Sequence, residues 1–211
     1  MNLEKLFKLQ AELDRRIEQE HPRQPGEDRL AKKILALLVE LGELANEARF
    51  FKFWSNDQEP RTEVKIPCRF CGGYGEGYFA GHKWTGKKEK CTFCNGTGIE
   101  GLKNPLLEEY VDCLHFTLSI GLDILDDLEI YSEPIFCSDI VSQFNELFTQ
   151  VSYFWNVIER DGDEEEIKTE YERIWSLLFG IAGLLGFTWN QIEQAYMAKN
   201  AENLRRQEEG Y

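Results

Sequence analysis

Two apolar segments of this chain each carry a pair of acidic residues three positions apart, and this pattern restricts how the chain can fold. Glu40 and Glu43 follow the apolar run "ILALLV", and Glu109 and Asp112 lie within "LLEEYVDCLHF". On a helix, residues three apart project from one face. Burying a carboxylate costs several kcal/mol unless it has a partner or a metal ion. If the two helices pack antiparallel, we expect the four carboxylates to converge and to require cations.

The metal predicted at this cluster is Mg²⁺ or Mn²⁺, because the donors are carboxylate oxygens rather than thiolates or imidazoles. Such an ion commonly brings phosphates, which fill its remaining coordination positions. Two alternatives stay open at this point. Glu-x-x-Glu also occurs by chance in acidic helical proteins, although the solvated charge run at 164–172 contains no leucine. A di-iron site needs Glu-x-x-His from two helices, and Asp112-x-x-His115 comes near this only once.

Helical periodicity dominates most of the chain and predicts an all-α helical bundle. Asn104 followed by proline predicts a helix start, and Thr188 with Gln191 matches a capping box. The first predicted helix runs from Leu3 to the "HPRQPG" break, the second from about 28 to 54, and the third from 104 to about 128. The fourth begins at a cap at Ser138, the fifth runs from "RDGDEEE" to about 185, and the last begins at Thr188.

The composition restricts the class of protein. The chain has 211 residues and a net charge of −14, which argues against a general nucleic-acid binder because phosphate backbones need a basic surface. No apolar run reaches the roughly 20 residues of a membrane span, and the N-terminus lacks the apolar core of a signal peptide. We therefore expect a cytoplasmic protein without membrane contact, whose six cysteines are reduced or bound to metal.

The composition changes between positions 60 and 103, where many of the glycines and four of the six cysteines are concentrated. From Arg61 to Lys103 there are eight Lys/Arg against four Asp/Glu, which gives a local charge of +4 in an acidic protein. We predict that 60–103 is a module inserted into one catalytic domain, which is formed by 1–59 and 104–211.

The inserted module is predicted to bind zinc. Cys68-x2-Cys71 and Cys91-x2-Cys94 supply two thiolate pairs at a spacing typical of tetrahedral structural zinc sites. Both pairs fit C-x-x-C-x-G-x-G, which resembles the cysteine-rich repeats of the DnaJ chaperones. Four thiolates leave no open position for water, so we expect structural rather than catalytic Zn²⁺ in a small zinc-ribbon-like unit.

In the simplest interpretation, the zinc ion only holds together a segment that is too small to fold by itself. The basic side chains Lys83, Lys87, Lys88 and Lys90 allow another interpretation, in which the module contacts a nucleic acid, a partner protein or a neighbouring subunit. His82 is an alternative zinc ligand that a set of four thiolates does not require.

Several motifs, in the same order along the chain, resemble those of the dimeric dUTPases. This family is a branch of the all-α nucleoside triphosphate pyrophosphatases, which include MazG-type proteins. The segment "ELANEARFFKFW" resembles the first acidic motif of that branch, "EEYVDCLHFTLSIG" its second, "YMAKNAENLRRQEEGY" its C-terminal motif and "LQAELD" its opening motif. The chain departs from the family between the acidic helices, where the usual segment is shorter and lacks the cysteine module.

The resemblance implies a homodimer that hydrolyses dUTP to dUMP and pyrophosphate, with water attacking the α-phosphorus. It assigns Glu40, Glu43, Glu109 and Asp112 to catalytic Mg²⁺, and Glu43 is our choice for orienting or deprotonating the water. Two other functions stay open: hydrolysis of dCTP or a modified deoxynucleotide, and a non-catalytic helical protein that docks through its zinc module.

The resemblance also predicts a substrate-binding set. Lys199 and Arg206 would bind phosphate, with Lys52 reaching the same groups, and Asn203 would contact the sugar. The amide of Gln10 offers the donor and acceptor that reading a uracil edge requires. The residues expected around the base are Asn46, Trp54, His115 and Phe116. A solvated basic face and plain helix packing are the alternatives for the cations and the aromatic residues.

Overall fold

The computed structural model describes residues 2–80 and 83–210, with side chains for all of these except 78–80 and 83–87. His82 and the side chains of Lys83 and Lys87, named above as ligand or contacts, therefore lie outside the described parts. The described chain contains six helices and four strands: α1 (Leu3–Glu20), α2 (Arg29–Ala48), β1 (Val64–Pro67), β2 (Glu76–Ala80), β3 (Lys83–Lys90), β4 (Ile99–Lys103), α3 (Pro105–Ile124), α4 (Ile140–Glu159), α5 (Glu164–Leu184) and α6 (Trp189–Glu208).

The chain divides into two units. One consists of Met1–Pro60 with Leu107–Tyr211, and the other of Arg61–Leu106. The first unit holds the helices and the second holds the four strands, so the predicted all-α fold is confirmed. Among the described helices, none combines the length and apolar character that crossing a bilayer demands.

Helix α3 carries much of the core of the helical unit. Tyr110, Val111, Cys113, Leu114 and Leu118 are all fully buried, although they point in several directions around the helix. A helix that is covered on most sides needs an apolar sequence on most sides. This requirement explains the composition of the segment in which Glu109 and Asp112 occur.

Helix α5 packs against α3 in the antiparallel direction. The hydroxyl of Tyr110 donates a hydrogen bond to the carbonyl of Leu178 (3.2 Å), and the hydroxyl of Tyr171 donates to the carbonyl of Thr117 (2.8 Å). Both tyrosines are fully buried. The hydrogen bonds therefore satisfy two polar atoms that would otherwise be costly to bury.

Helix α2 is also antiparallel to α3. Near the start of α2, the ammonium of Lys33 lies 2.6 Å from a carboxylate oxygen of Asp123, near the end of α3. Near the end of α2, Glu43 lies beside Glu109, near the start of α3. The two acidic helices therefore have the antiparallel arrangement that was the condition for their carboxylates to converge.

Two helices end earlier than their sequence patterns predicted. Helix α2 was expected to reach 54 but stops at Ala48, because Arg49 adopts a left-handed conformation (φ 64°). The Arg49 guanidinium donates to the carbonyl of Asp57 (2.7 Å) and pairs with its carboxylate (3.0 Å), which holds the chain in a reversal. Helix α3 ends at Ile124 rather than near 128.

The helix caps agree with the predictions in one case and differ in another. Thr188 and Gln191 form the capping box that opens α6, as expected. Helix α4 is capped by Asp139 and not by Ser138, because the Asp139 carboxylate accepts the backbone N–H of Ser142 (2.9 Å). The Ser138 hydroxyl donates to that carboxylate instead (2.9 Å).

The second unit consists of two antiparallel strand pairs. Strand β1 pairs with β4, and β2 pairs with β3. The sequence patterns had not predicted these strands, since the segment is rich in glycine and lysine, which are uncommon in strands. The hydrophobic cluster of this unit is formed by its cysteines.

A substitution at Gly121 tests how tightly the helical core is packed. A Cβ atom at this position would lie 2.2 Å from the Tyr171 hydroxyl and 3.0 Å from the Phe7 ring. We expect Gly121→Ala to lower the free energy of unfolding by about 2 kcal/mol, because the buried Tyr171 must move and its hydrogen bond weakens. Urea denaturation measures this change.

Gly42 on α2 is the matched control, because a Cβ atom there meets nothing within 4 Å. Gly42→Ala should raise the free energy of unfolding by about 0.5–1 kcal/mol through helix propensity alone. Equal effects of the two substitutions would contradict the close packing of α3 against α5.

Candidate active site and four-cysteine centre

Three of the four predicted acidic residues come together between α2 and α3. Carboxylate oxygens of Glu40, Glu43 and Glu109 all lie within 4.8 Å of one another. The spacing of three on α2 places the first two on one face, and the antiparallel α3 brings Glu109 opposite them. The structure thus assembles a compact set of oxygen donors.

This carboxylate cluster is electrostatically unfavourable without a cation. Burial, followed by repulsion from neighbouring carboxylates, raises the pKa of Glu40 and of Glu109 to about 7 in each case. The nearby Lys199 ammonium opposes this shift but does not cancel it. A divalent cation would reverse the balance, since it favours the charged form of each ligand.

The geometry of the cluster fits a hard divalent cation. Octahedral Mg²⁺ with bonds of about 2.0–2.1 Å places adjacent ligand oxygens about 3 Å apart and opposite ones about 4 Å apart. The three carboxylate oxygens lie within 4.8 Å of one another, a limit slightly wider than the larger of these separations. Carboxylate oxygens are also the ligand type that Mg²⁺ and Mn²⁺ prefer.

Asp112 differs from the expectation that all four acids converge. Its carboxylate forms an ion pair with the ammonium of Lys199 (2.5 Å) and is not part of the three-residue cluster. Burial raises the pKa of Asp112, while the hydrogen bond and charge of Lys199 lower it. The lysine on α6 therefore acts as the counter-ion that a metal was expected to supply.

Helix α6 presents Lys199, Asn203 and Arg206 at intervals of four and three residues, so they share one helix face. Lys199 contacts Asp112, and Asn203 lines the cavity described next. The Arg206 guanidinium donates to Glu202 (3.1 Å) and lies close enough to Asp112 to lower the pKa of that carboxyl. The predicted cations therefore lie beside the acidic region.

A cavity of about 770 Å³ lies next to Asp112, between α1, α2, α3 and α6. It is large enough for a nucleotide-sized ligand. Five of the predicted site residues line it: Gln10, Asp112, His115, Phe116 and Asn203. The electrostatic effect of Asp112 on both Glu40 and Glu109 shows that the cavity and the carboxylate cluster are neighbours.

The Gln10 amide is engaged within the protein, and its expected role as a direct reader of the base stays a prediction. Its nitrogen donates to Asp14 (2.7 Å). Its oxygen accepts the hydroxyl of Tyr196 (2.9 Å) and faces Nδ1 of His115 at 2.7 Å. Sequence reasoning missed Asp14, Tyr196 and Ser119, whose hydroxyl donates to Asp14 (2.5 Å).

These missed residues gave weak local signals. Asp14 belongs to the quoted motif "LQAELD" and Tyr196 is the first residue of the C-terminal motif. The resemblance to the family could therefore have identified both as site residues. Ser119 had no such signal on an apolar helix. His115 is also more than an aromatic wall, because its ring stacks on Tyr196 with centroids 4.2 Å apart.

Three predicted substrate residues are not brought to this cavity. Asn46 lines a separate apolar cavity of about 340 Å³ between α2 and α4. Because α2 stops at Ala48, Trp54 lies in the loop beyond it, 65% exposed and edge-on to Phe51. Lys52 lies in the same loop, with its ammonium 5.7 Å from the centre of the Phe51 ring.

The four module cysteines meet at one point. The sulfurs of Cys68 and Cys91 are 3.9 Å apart, and those of Cys71 and Cys94 are 3.8 Å apart. Four zinc–sulfur bonds of about 2.3 Å in a tetrahedron require sulfurs about 3.8 Å apart. The arrangement therefore fits a tetrahedral metal ion and is much too wide for disulfides.

Backbone amides of the glycines point at this centre. The N–H groups of Gly75 and Gly98 donate to the sulfurs of Cys71 and Cys94, each at 3.2 Å. Both glycines have positive φ, and a Cβ atom on either would lie within 2.4 Å of a carbonyl oxygen in the other cysteine turn. The glycines of the repeated C-x-x-C-x-G-x-G pattern are thus required by the close approach of the two turns.

Comparison with known proteins agrees with this geometry. No curated protein matches the chain. A sequence model of the family described as dUTPase matches residues 2–66 and 98–211. The matched ranges contain the carboxylate cluster, every residue named at the cavity and the whole of α6, and they leave out all four cysteines of the cysteine centre. Because the match covers most of the sequence, the chain belongs to the dUTPase family.

Proposed function

We propose that this protein hydrolyses dUTP to dUMP and pyrophosphate with the help of Mg²⁺. The observation that carries the proposal is the cluster of Glu40, Glu43 and Glu109 beside a nucleotide-sized cavity. Membership of the dUTPase family supports the same substrate class. Hydrolysis of a triphosphate at the α-phosphorus needs an activated water and cations that stabilise negative charge, and both can be assigned here.

The proposed metal ligands are Glu40, Glu43 and Glu109, with Asp112 as a further ligand when Lys199 turns toward phosphate. When bound, Mg²⁺ or Mn²⁺ supplies stabilisation of the charge that develops on the phosphate oxygens. Glu43 is the exposed member of the cluster, so it is the carboxylate that a water molecule can reach. We assign to it the orientation of the attacking water and the acceptance of its proton.

The remaining roles follow from position. Lys199 and Arg206, which both act on the charge of Asp112, are proposed to bind the phosphates. Asn203 and Phe116 line the cavity and are proposed to contact the sugar and the base. The roles suggested for Asn46, Lys52 and Trp54 find no support in the cavity. The homodimer and the cytoplasmic location stay predictions.

Glu43→Gln tests this assignment. The purified protein should release pyrophosphate from dUTP in the presence of Mg²⁺, faster than from dCTP, dATP, dGTP or TTP. Glu43→Gln should lower kcat at least about 100-fold, because the amide cannot accept the proton of the attacking water. A pyrophosphate-release assay across the five nucleotides measures both effects.

The matched control is Glu165→Gln, an identical substitution in the exposed first turn of α5. It should leave kcat within twofold of the wild type. Retained turnover in Glu43→Gln with unchanged circular dichroism would refute the assignment of Glu43. A wild-type preference for another nucleotide would refute dUTP as the substrate.

The raised pKa values predict how stability depends on pH and on Mg²⁺. The folded state binds protons at Glu40 and Glu109 more tightly than the unfolded state, since both pKa values rise from 4.5 to about 7. Metal-free protein should therefore lose stability between about pH 5 and pH 8, as these carboxyls ionise in the fold. Thermal melts should show a falling Tm over this range, and Mg²⁺ should raise Tm more at pH 8 than at pH 6.

The control is the double substitution Glu40→Gln with Glu109→Gln, which removes the two shifted carboxyls. This variant should show a flatter Tm profile across that range and a smaller response to Mg²⁺. A wild-type Tm that Mg²⁺ leaves unchanged at pH 8 would contradict a metal site at the cluster.

We propose in addition that Cys68, Cys71, Cys91 and Cys94 bind one structural Zn²⁺. The sulfur separations support this proposal, and the amides of Gly75 and Gly98 would stabilise the thiolates. Among the side chains of the second unit that the structure describes, few apolar ones are buried apart from the cysteines, so we expect the metal to contribute much of its stability.

Metal analysis tests the zinc proposal. The purified protein should contain one zinc per chain, and Cys94→Ser should lower this content at least tenfold, because three thiolates bind zinc more weakly than four. Cys137→Ser is the control, since Cys137 lies outside the cysteine cluster. The Cys137→Ser protein should keep one zinc per chain. Elemental analysis after dialysis measures the zinc content of both variants. An equal zinc content in the two would contradict a zinc site at the four cysteines.

A further inference from the structure

Each cysteine turn of the second unit carries a phenylalanine immediately before its second cysteine, Phe70 in "CRFC" and Phe93 in "CTFC". The buried cluster of this unit is made of its cysteines, and neither ring belongs to it. The two rings stack on each other instead, with centroids 3.3 Å apart and planes 14° from parallel. Phe70 is 42% exposed and Phe93 is 52% exposed. The unit therefore presents a pair of large apolar rings at its surface.

The exposed part of Phe93 includes a flat face. Phe70 covers one face of the Phe93 ring, so the half of the residue that solvent reaches contains the opposite face. Both rings line a surface depression of about 490 Å³, together with the polar side chains Arg69 and Asn95. In the first cysteine turn, Tyr74 adds an aromatic ring that is 82% exposed. Flat rings open to solvent beside polar groups form a surface on which a planar ligand such as a nucleobase can stack.

The charge of this unit is opposite in sign to that of the rest of the chain. The whole chain carries −14 and the segment from Arg61 to Lys103 carries +4, which leaves −18 for all other residues. At physiological ionic strength, salt screens charges that lie more than about 8 Å apart. An anion at the surface of the cysteine module therefore interacts mainly with the positive charge of the module. The acidity of the whole chain argues against a general nucleic-acid binder but not against a local anion site here.

Two lysines of this unit are available for such an anion. Among the described side chains, neither Lys65 nor Lys90 has an ion-pair partner. The stem of Lys90 lies across the second cysteine turn, because a Cβ atom at Gly96 would be 2.5 Å from its Cε atom. The Lys90 ammonium is thereby held beside the turn that carries Phe93, and Lys65 lies on β1, which leads into the first turn. Cations without a carboxylate partner attract phosphate groups.

We infer that the cysteine module binds single-stranded nucleic acid, with a base stacked on Phe93 and with backbone phosphates bound by Lys65 and Lys90. This inference is independent of the hydrolysis proposed at the carboxylate cluster. Basic side chains and exposed aromatic rings together are the means by which proteins bind single strands without reading their sequence. Every base has a face that can stack, so the binding tolerates any sequence. A duplex hides these faces within its own stack, so it binds more weakly than a single strand.

Fluorescence anisotropy with labelled oligothymidine and oligouridine of about 12 nucleotides tests the inference on the full-length protein. Phe93→Leu keeps an apolar side chain against Phe70 but removes the aromatic face, so it should weaken binding about 5- to 100-fold. Phe93→Trp keeps such a face and should bind at least as tightly as the wild type. The matched control is Phe136→Leu, at a phenylalanine of the helical unit that is 58% exposed, and it should leave the affinity unchanged.

The salt dependence of binding tests the two lysines. Each phosphate that a lysine neutralises on a single strand contributes about 0.7 to the slope of log affinity against log salt concentration. Lys65→Gln and Lys90→Gln should each lower the magnitude of the slope by about this amount. Lys8→Gln is the control, because Lys8 is an exposed lysine on α1 in the acidic helical unit, and it should leave the slope unchanged. Equal slopes in all three variants overturn the assignment of the phosphates.

Three results with the wild type overturn the inference without any variant. They are no binding of either oligonucleotide at about 50 mM salt, equal affinity for a duplex of the same length, and release of the strand by dUMP with Mg²⁺. The last result would place the strand in the large cavity between the helices. A sedimentation coefficient that Phe93→Leu lowers while the wild type binds no strand would assign the rings to a contact between two copies of the chain. Zinc analysis of each variant identifies any substitution that disturbs the module.

Discussion

Repulsion among carboxylates in the half-buried space between α2 and α3 is the constraint on which the site depends. Glu40 and Glu109 interrupt apolar helix faces, and burial together with the charges of Asp112 and Glu43 raises the pKa of both. A protein optimised only for stability would replace them with leucine. Their presence is explained when divalent cations and the phosphates of a substrate complete the charge balance. The carboxylates thus make the ligand-free protein less stable than apolar residues would, and in the proposed function they bind the cations strongly.

The second part of the site is a hydrogen-bonded network of polar side chains, in which the carboxylate of Asp14 also takes part. Gln10, His115 and Tyr196 join α1, α3 and α6 through hydrogen bonds that leave one acceptor unpaired. In the proposed function, the carboxylate cluster forms the phosphate region and the network around His115 forms the base region. The Lys199–Asp112 ion pair lies where the two regions meet.

The features that the sequence predicted are those that depend on local spacing. Glu40, Glu43 and the capping box at Thr188 follow from helix periodicity, and the C-x-x-C pairs follow from the geometry of a tight turn. The features it did not predict depend on partners distant in the chain. Pairing of Asp112 with Lys199 spans 87 positions, and that of Gln10 with His115 spans 105. The early end of α2 depends on Asp57, a loop residue without any periodic signal.

The two ends of the second unit are held together by a strand pair. Strand β1 enters the module and β4 leaves it, and the two are antiparallel partners in which Val64 faces Lys103. Paired residues of antiparallel strands lie about 5 Å apart, so a long insertion adds almost no distance between the points where it joins the chain. The family match resumes at 98, after a gap that begins at 67 and spans most of this closed segment. Ends that lie this close together are what an inserted module requires, so this strand pairing supports the insertion, which stays a prediction.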